Sequence, residues 1–253
     1  MKVVIPESDD PIIKEAADAC DKVAIVPAKD LQTATDLVNA GVVDTMISGF
    51  NYSTRDVMLA FKENFTMSSE FFSSCFICSK NGQNLALADG GVNKNPNKEQ
   101  LYYIVEDTTK TFLDCFDDQP RIAMLSYSTN GSGGKNPDLD KINYVVSRIK
   151  ENHPDWIIEG EMQLDTATNY RIAEKKYPNS LIHGHANILI VPDLNSGNIL
   201  YKSLEYLGGW EVAGPIVQGF TLPLADLSRG STVESVKFTI EVVEKLVNAR
   251  KQK

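Results

Sequence analysis

Short apolar runs alternate with longer stretches whose apolar residues recur every three or four positions, almost from one end of the chain to the other. The runs KVVI (2–5), KVAIVP (22–27), DTMISG (44–49), RIAMLSYS (121–128), HANILIVP (185–192) and GPIVQG (214–219) have the length and character of buried strands. Between them PIIKEAADAC (11–20), LQTATDLVNA (31–40), KEQLYYIVEDTTKTFLDCF (98–116), DLDKINYVVSRIKEN (138–152) and GNILYKSLEYL (197–207) carry apolar residues at helical spacing. A last stripe, Val233, Val236, Ile240, Val243 and Val247, predicts a closing helix. This alternation is the pattern of an α/β protein with a largely parallel sheet. No repeat, low-complexity tract or flexible linker interrupts it. A division into two domains would therefore run through structured elements, with the long helix around 98–116 as the candidate hinge.

Composition narrows the classes of partner. With 253 residues, 42% of them hydrophobic, the chain can bury a core without disulfides or a structural metal. It carries 34 acidic against 25 basic residues, a net charge of -9, so nucleic acid and acidic membrane surfaces repel it at long range and any phosphate must be met locally. The opening MKVVIPESDD reaches Pro6 and acids after four apolar residues, too early for a secretory leader, and no apolar run approaches the length of a membrane span. The cytoplasm is the expected location. Cys20, Cys75, Cys78 and Cys115 are few; Cys75 and Cys78 lie in a strand-like stretch, FFSSCFICSK, without a second pair at zinc spacing, which predicts buried thiols.

Three loops share one design. RIAMLSYSTNGSGGKNPDLDKI is a strand, then Ser126, Ser128, Thr129, Gly131, Ser132, Gly133 and Gly134, then a helix opened by Asn136 and Pro137. Small residues let backbone N–H groups approach an anion, hydroxyls add donors, and the helix contributes its positive end. It is neither a Walker loop nor a dinucleotide fingerprint, and a glycine-rich turn without a ligand has the same signature. The second, VPDLNSGNILYKSLEYL, places Asn195, Ser196, Gly197 and Asn198 at a helix start, where Asn195 also reads as a simple cap. The third, ADLSRGSTVES, sets Ser228, Arg229 and Gly230 directly before the closing helix, with Ser231 and Glu234 at capping-box spacing. Arg229 adds a planar fork suited to phosphate. In an open α/β sheet ligands collect beyond the carboxyl ends of the strands, so the three loops are expected to converge on one cleft.

Taken in order, PRIAMLSYSTNGSGG, VPDLNSGNILYK and GPIVQGFTLPLADLSRGSTVES, with DGGVNKNP and MISGFNYST as weaker marks, resemble the phosphate acetyl/butyryl transferases over roughly residues 45–235. The resemblance implies two α/β/α domains flanking a cleft, as in isocitrate and isopropylmalate dehydrogenases. It implies residues 1–105 as the first domain, completed by the last helix (229–253), and 106–228 as the second, in a homodimer. It implies acyl transfer between coenzyme A and inorganic phosphate without a covalent enzyme intermediate, coenzyme A being a substrate and no cofactor or metal being tightly held. Carried over to this chain, Arg229 holds the acyl-phosphate group and Ser228 donates toward the reacting oxygen. Ser126, Ser128, Thr129 and Gly131 match the family's phosphate loop, while Asn195, Ser196, Gly197, Asn198, Ser231 and Ser235 are candidates for the substrate cleft.

Two departures matter. The family's aspartate one turn into the last helix, which takes the thiol proton, is Ser235 here; Glu234 is adjacent but turned by about 100° around the helix. The family's arginine after the serine–threonine pair is Leu59, with Arg55 about one turn away. The region between KVAIVPAKD and DTMISG is also short. These features give the alternative of a weak or inactive relative that binds an anionic metabolite or a partner protein; a dehydrogenase of the same architecture is a more distant reading. His183 and His185 lack a third ligand and predict structural or exposed histidines, and Asp89 with Asn93 reads equally as turn scaffolding or cleft chemistry.

Overall fold

The computed structural model describes residues 1–252. In chain order, β1 (Lys2–Val4), α1 (Pro11–Asp18), β2 (Ala24–Val26), α2 (Leu31–Asn39), β3 (Thr45–Ser48) and α3 (Thr54–Asn64) are followed by β4 (Ser73–Lys80), β5 (Gln83–Ala88), α4 (Lys98–Cys115), β6 (Arg121–Leu125), α5 (Pro137–Asn152) and β7 (Ile157–Met162). Then come α6 (Leu164–Thr168), α7 (Tyr170–Lys176), β8 (Ile188–Ile190), α8 (Leu194–Lys202), a π-helical turn (Ser203–Leu207), β9 (Glu211–Gln218), β10 (Leu224–Asp226) and α9 (Val233–Lys251). Every strand and helix read from the pattern is present. Lys253, within the span expected for the last helix, lies outside the described residues.

The chain forms two compact units, one from Met1–Phe72 with the chain from Trp210 onward, the other Ser73–Gly209. The boundaries expected at 105/106 and 228/229 are corrected by this. The first would cut α4, a continuous helix that buries Leu101, Ile104, Val105 and Phe112 and packs on β4 and β5 of the same unit. The second would separate β10 from α9, which make contact with each other.

In the first unit the strands lie in the order β2-β1-β3-β10-β9, parallel except for the β10–β9 pair. Asp10 caps α1 by accepting from the Ile12 N–H, with Pro11 in the first turn where a missing N–H costs nothing. The second unit runs β4-β5-β8-β6-β7, parallel except for the β4–β5 hairpin. Its turn, Asn81–Gly82, takes positive φ at both residues, which asparagine tolerates and glycine adopts freely. Asn97 and Gln100 close α4 with a reciprocal capping box, and Asn136 caps α5 as predicted. Among the described residues no helix is long and apolar enough to cross a membrane.

Several elements escaped the pattern. β5 opens on the polar pair Gln83–Asn84 before its four buried residues, β10 has only three residues, and α6 and α7 are too brief to show a helical period. α3 mixes polar residues with its buried Val57, Met58 and Phe61. β7, IIEGEM, carries two glutamates that break an apolar reading yet are both buried. Glu159 is matched there by the Ser180 hydroxyl and the Leu181 and Ile182 N–H groups, so its charge keeps its hydrogen bonds inside the fold. Cys75 and Cys78 are fully enclosed in β4; burial pushes the Cys75 thiol far up and that of Cys78 up to about 12, so neither is a nucleophile at neutral pH.

Candidate functional site

In the second unit the parallel strands β5, β8 and β6 end side by side, and the loops that follow them line an open cavity of about 600 Å³. Leu125, Ile142, Val191 and Leu200 give it apolar walls; Ser126, Tyr127, Lys94, Lys141, Asn195 and Ser196 supply polar groups. Its place beyond the strand ends is where α/β folds bind ligands, and its size suits a ligand much larger than acetyl phosphate. Lys141 spends its ammonium on the Pro96 and Pro192 carbonyls, whereas Lys94 has no side-chain partner among the described residues. Tyr127 stands 62% exposed, its hydroxyl taking a bond from the Asn136 amide.

Two of the three predicted loops thus share this cavity, but not through all the residues expected. Of the loop after β6, Ser126 and Tyr127 face it. Ser128 is fully buried; its hydroxyl donates to Glu161 at 2.9 Å and accepts from the Gly133 N–H at 2.7 Å. The Gly131 N–H also goes to Glu161, at 2.7 Å, and Thr129 takes up the Gln163 N–H. The Ser128 hydroxyl and the Gly131 N–H, which the resemblance assigned to phosphate, therefore hold the loop to β7, and Thr129 ties it to Gln163 just beyond that strand. The anion in the nest is the protein's own carboxylate, supplied from a strand about thirty residues on. Neither composition nor spacing of the loop reveals it.

The second loop is corrected by two positions. Asp193, not Asn195, caps α8, accepting from the Ser196 N–H at 2.9 Å, and Asn195 is left exposed on the cavity rim with Ser196 beside it. Gly197 and Asn198 do not line the cavity. Asn198 reaches the Gly90 carbonyl, and Gly197 lets the helix touch the turn after β5: a Cβ there would run into the Asp89 carbonyl oxygen. Gly197→Ala is expected to cost about 1–3 kcal/mol or more by overpacking against backbone, read as a lower urea midpoint. Asp89 itself is scaffolding. It accepts from Ser74, from the Gly91, Val92 and Asn93 N–H groups and from the Asn93 amide.

The third loop belongs to the first unit. β10 ends at Asp226 beside β3, and α9 begins at Val233. Its N-cap is Thr232, whose hydroxyl accepts from the Ser235 N–H, while the Ser235 hydroxyl accepts from the Thr232 N–H at 2.9 Å. The capping box expected from Ser231 and Glu234 thus lies one residue further on, leaving Ser231 half-buried just outside the helix, where its N–H bonds the Ser228 carbonyl. Arg229 is exposed and, among the described residues, has no hydrogen-bond or ion-pair partner. A guanidinium held before a nineteen-residue helix, with no carboxylate on it, is free to take an anion.

A family model described as phosphate acetyl/butaryl transferase matches residues 20–243. The chain belongs to that family. It is 38% identical over 208 residues to a phosphate acetyltransferase of Bacillus subtilis, covering 80% of this chain and 62% of that protein. It is 37% identical over 210 residues to one of Corynebacterium glutamicum, covering 82% and 63%. It spans less than two thirds of the length of these relatives. Among solved structures, a phosphotransacetylase from Streptococcus pyogenes superposes with a TM-score of 0.84 at 27% identity, over 99% of this chain and 94% of that one.

Within the family, the positions that depart from its pattern are now placed. Leu59 is 49% exposed on α3, and Arg55, one turn before it, is also exposed without a partner among the described residues. Ser235 is engaged at both ends by Thr232. Glu234 is exposed, its carboxyl held below the usual range by its own backbone N–H and by Thr232. His183 faces Glu174 at 3.6 Å and His185 stacks on Tyr170. Among the described residues no three His, Cys, Asp or Glu side chains converge as a metal site.

Proposed function

We propose that this chain transfers an acetyl or other short acyl group between coenzyme A and inorganic phosphate. The observation that carries the reading is Arg229, unpaired before the positive end of α9 in the family's serine–arginine turn. In this mechanism Arg229 grips the phosphoryl oxygens, and Ser228 donates toward the reacting oxygen as charge gathers there. The coenzyme thiol loses its proton to solvent, its sulfur attacks the acyl carbonyl carbon, and the carbon–oxygen bond to phosphate breaks with its electron pair on phosphate. The reverse direction makes acyl phosphate. Ser126, Asn195 and Ser196, with the apolar walls beside them, are assigned to the coenzyme arm; Ser128, Thr129 and Gly131 stabilise the loop, and Ser231 supports the turn.

Ser235 gives the thiol no carboxylate to receive its proton. A free thiol has a pKa of about 8.5, so a few per cent is ionised at neutral pH and the reaction proceeds slowly. The expected pH profile climbs toward that value, and Ser235→Asp raises the rate by about 10²-fold, the ordinary worth of a placed base. The measurement is thiol release from acetyl-, butyryl- and isobutyryl-coenzyme A with phosphate. Because the Ser235 hydroxyl is committed to capping, a second reading stands beside the first: an anion-binding relative without turnover, favoured if only the aspartate variant is active. We further assign the protein to the cytoplasm as a homodimer, and match its two units to the two domains of the isocitrate/isopropylmalate dehydrogenase-like class.

A further inference from the structure

We infer that Glu161 is a positioning residue for the cavity, the internal anion that fixes the loop after β6 so that Ser126 and Tyr127 face the ligand; the inference rests on the acyl-transfer reading. Glu161 is 3% exposed at the end of β7. The Gly131 N–H and the Ser128 hydroxyl converge on a single one of its oxygens, Oε1, and its backbone carbonyl takes the Asn130 N–H at 3.1 Å. From there the network runs inward to the cavity. Ser128 passes its N–H to the Ser126 hydroxyl oxygen at 3.3 Å, and the Ser126 N–H bonds the Met162 carbonyl, next to Glu161. Thr129 bridges to Gln163 on the same strand end.

The arrangement has two consequences. A buried carboxylate with convergent donors is stable only while those donors stay on it, so the loop cannot open to an incoming phosphate without stranding Glu161. The loop is therefore a rigid wall for the cavity, with the Ser128 hydroxyl and the Gly131 N–H already engaged by the protein. Second, the bonding asks for one oxygen at one point, and an amide oxygen in the same place would accept both donors. The role is thus separable from charge and from proton transfer by choice of substitution.

The test uses E161Q, E161A and E161D in the full chain. E161Q keeps the acceptor oxygen, E161A removes it, and E161D keeps the charge but withdraws it by one methylene. E161A and E161D are expected to raise KM for acyl-coenzyme A about tenfold or more while kcat changes by less than about threefold, and E161Q to restore KM to within about threefold of the natural chain. In parallel, the Gly131 amide should exchange with solvent at least about tenfold faster in E161A and E161D, while β6 and β7 keep their protection. The inference is overturned by unchanged exchange at Gly131 in E161A and E161D, by an E161Q as damaged in KM as E161A, or by a lowered melting temperature with KM unmoved. Turnover slowed by about a hundredfold or more in E161Q would instead make Glu161 a proton-transfer group and equally overturn it. If the natural chain neither binds coenzyme A nor releases thiol, the acyl-transfer reading fails, and the amide exchange still decides whether Glu161 holds the loop.

Discussion

Arg229→Ala is expected to all but abolish acyl phosphate formation, kcat/KM falling by about 10²–10³, while the melting temperature stays within about a degree of the natural chain. The split is the point of the experiment. An exposed side chain with no partner among the described residues contributes little to folding, so its removal cannot act by unfolding the site. What it removes is the fork that meets phosphoryl oxygens, set just before the positive end of α9. Arg229→Lys should recover only part of the rate, because an ammonium offers charge without the planar pair of donors. Acyl phosphate trapped as hydroxamate, alongside thiol release, measures both. A natural rate in Arg229→Ala would sink the assignment of the turn.

The second large effect concerns stability. Asp226, two residues before Ser228, is 2% exposed; Thr54 bonds its carboxyl, but Oδ1 has no partner among the described residues and sits where a side chain on Gly49 would stand. Burial, opposed by Thr54 and reinforced by the nearby Glu7 carboxylate, pushes its pKa from 3.8 up to about 7. Glu7 is itself buried and well bonded, taking the Ser48 hydroxyl and the Gly49 N–H. An acid with a raised folded pKa holds a proton that the unfolded chain has released between about pH 4 and pH 7. Through that window stability falls as pH rises, and above it the loss is complete. Asp226→Asn, which keeps the shape and an acceptor for Thr54, should match the natural chain near pH 4. At pH 8 it should be more stable by roughly 4 kcal/mol, taking 1.36 kcal/mol per pKa unit. Asp118 and Asp44, whose pKa values are lowered with Arg121 and Lys251 as partners, act in the opposite sense but identically in both chains. Urea titrations from pH 4 to 8 read the difference; equal slopes with pH in the two chains would refute it.

Much of this protein was written in the order of its apolar and polar residues. The alternation of KVVI, DTMISG and RIAMLSYS with amphipathic stretches determined the α/β class and the largely parallel pairing, because burial on a sheet face and on a helix stripe leaves different periods in the sequence. Caps were legible to within a residue or two. Asn136 opens α5 as read, whereas Thr232 displaced Ser231 and Asp193 displaced Asn195, since several oxygen-bearing side chains compete for one helix start and local backbone geometry selects among them. The family, too, was legible in the ordered loops.

What the tertiary structure alone decided is which polar groups are free. The hydroxyls and N–H groups of SYSTNGSGG are donors in any fold, and only the arrival of Glu161 from β7 commits Ser128 and Gly131 to the protein itself. The same holds for Asp226, an ordinary aspartate in sequence that becomes a reluctant acid through what surrounds it, and for the unit boundary, set by the sheet against which α4 packs. Hydrophobic burial is additive along the chain and shows in local pattern. Hydrogen-bond satisfaction and desolvation depend on partners brought in from tens of residues away, and so they exist only once the chain has folded.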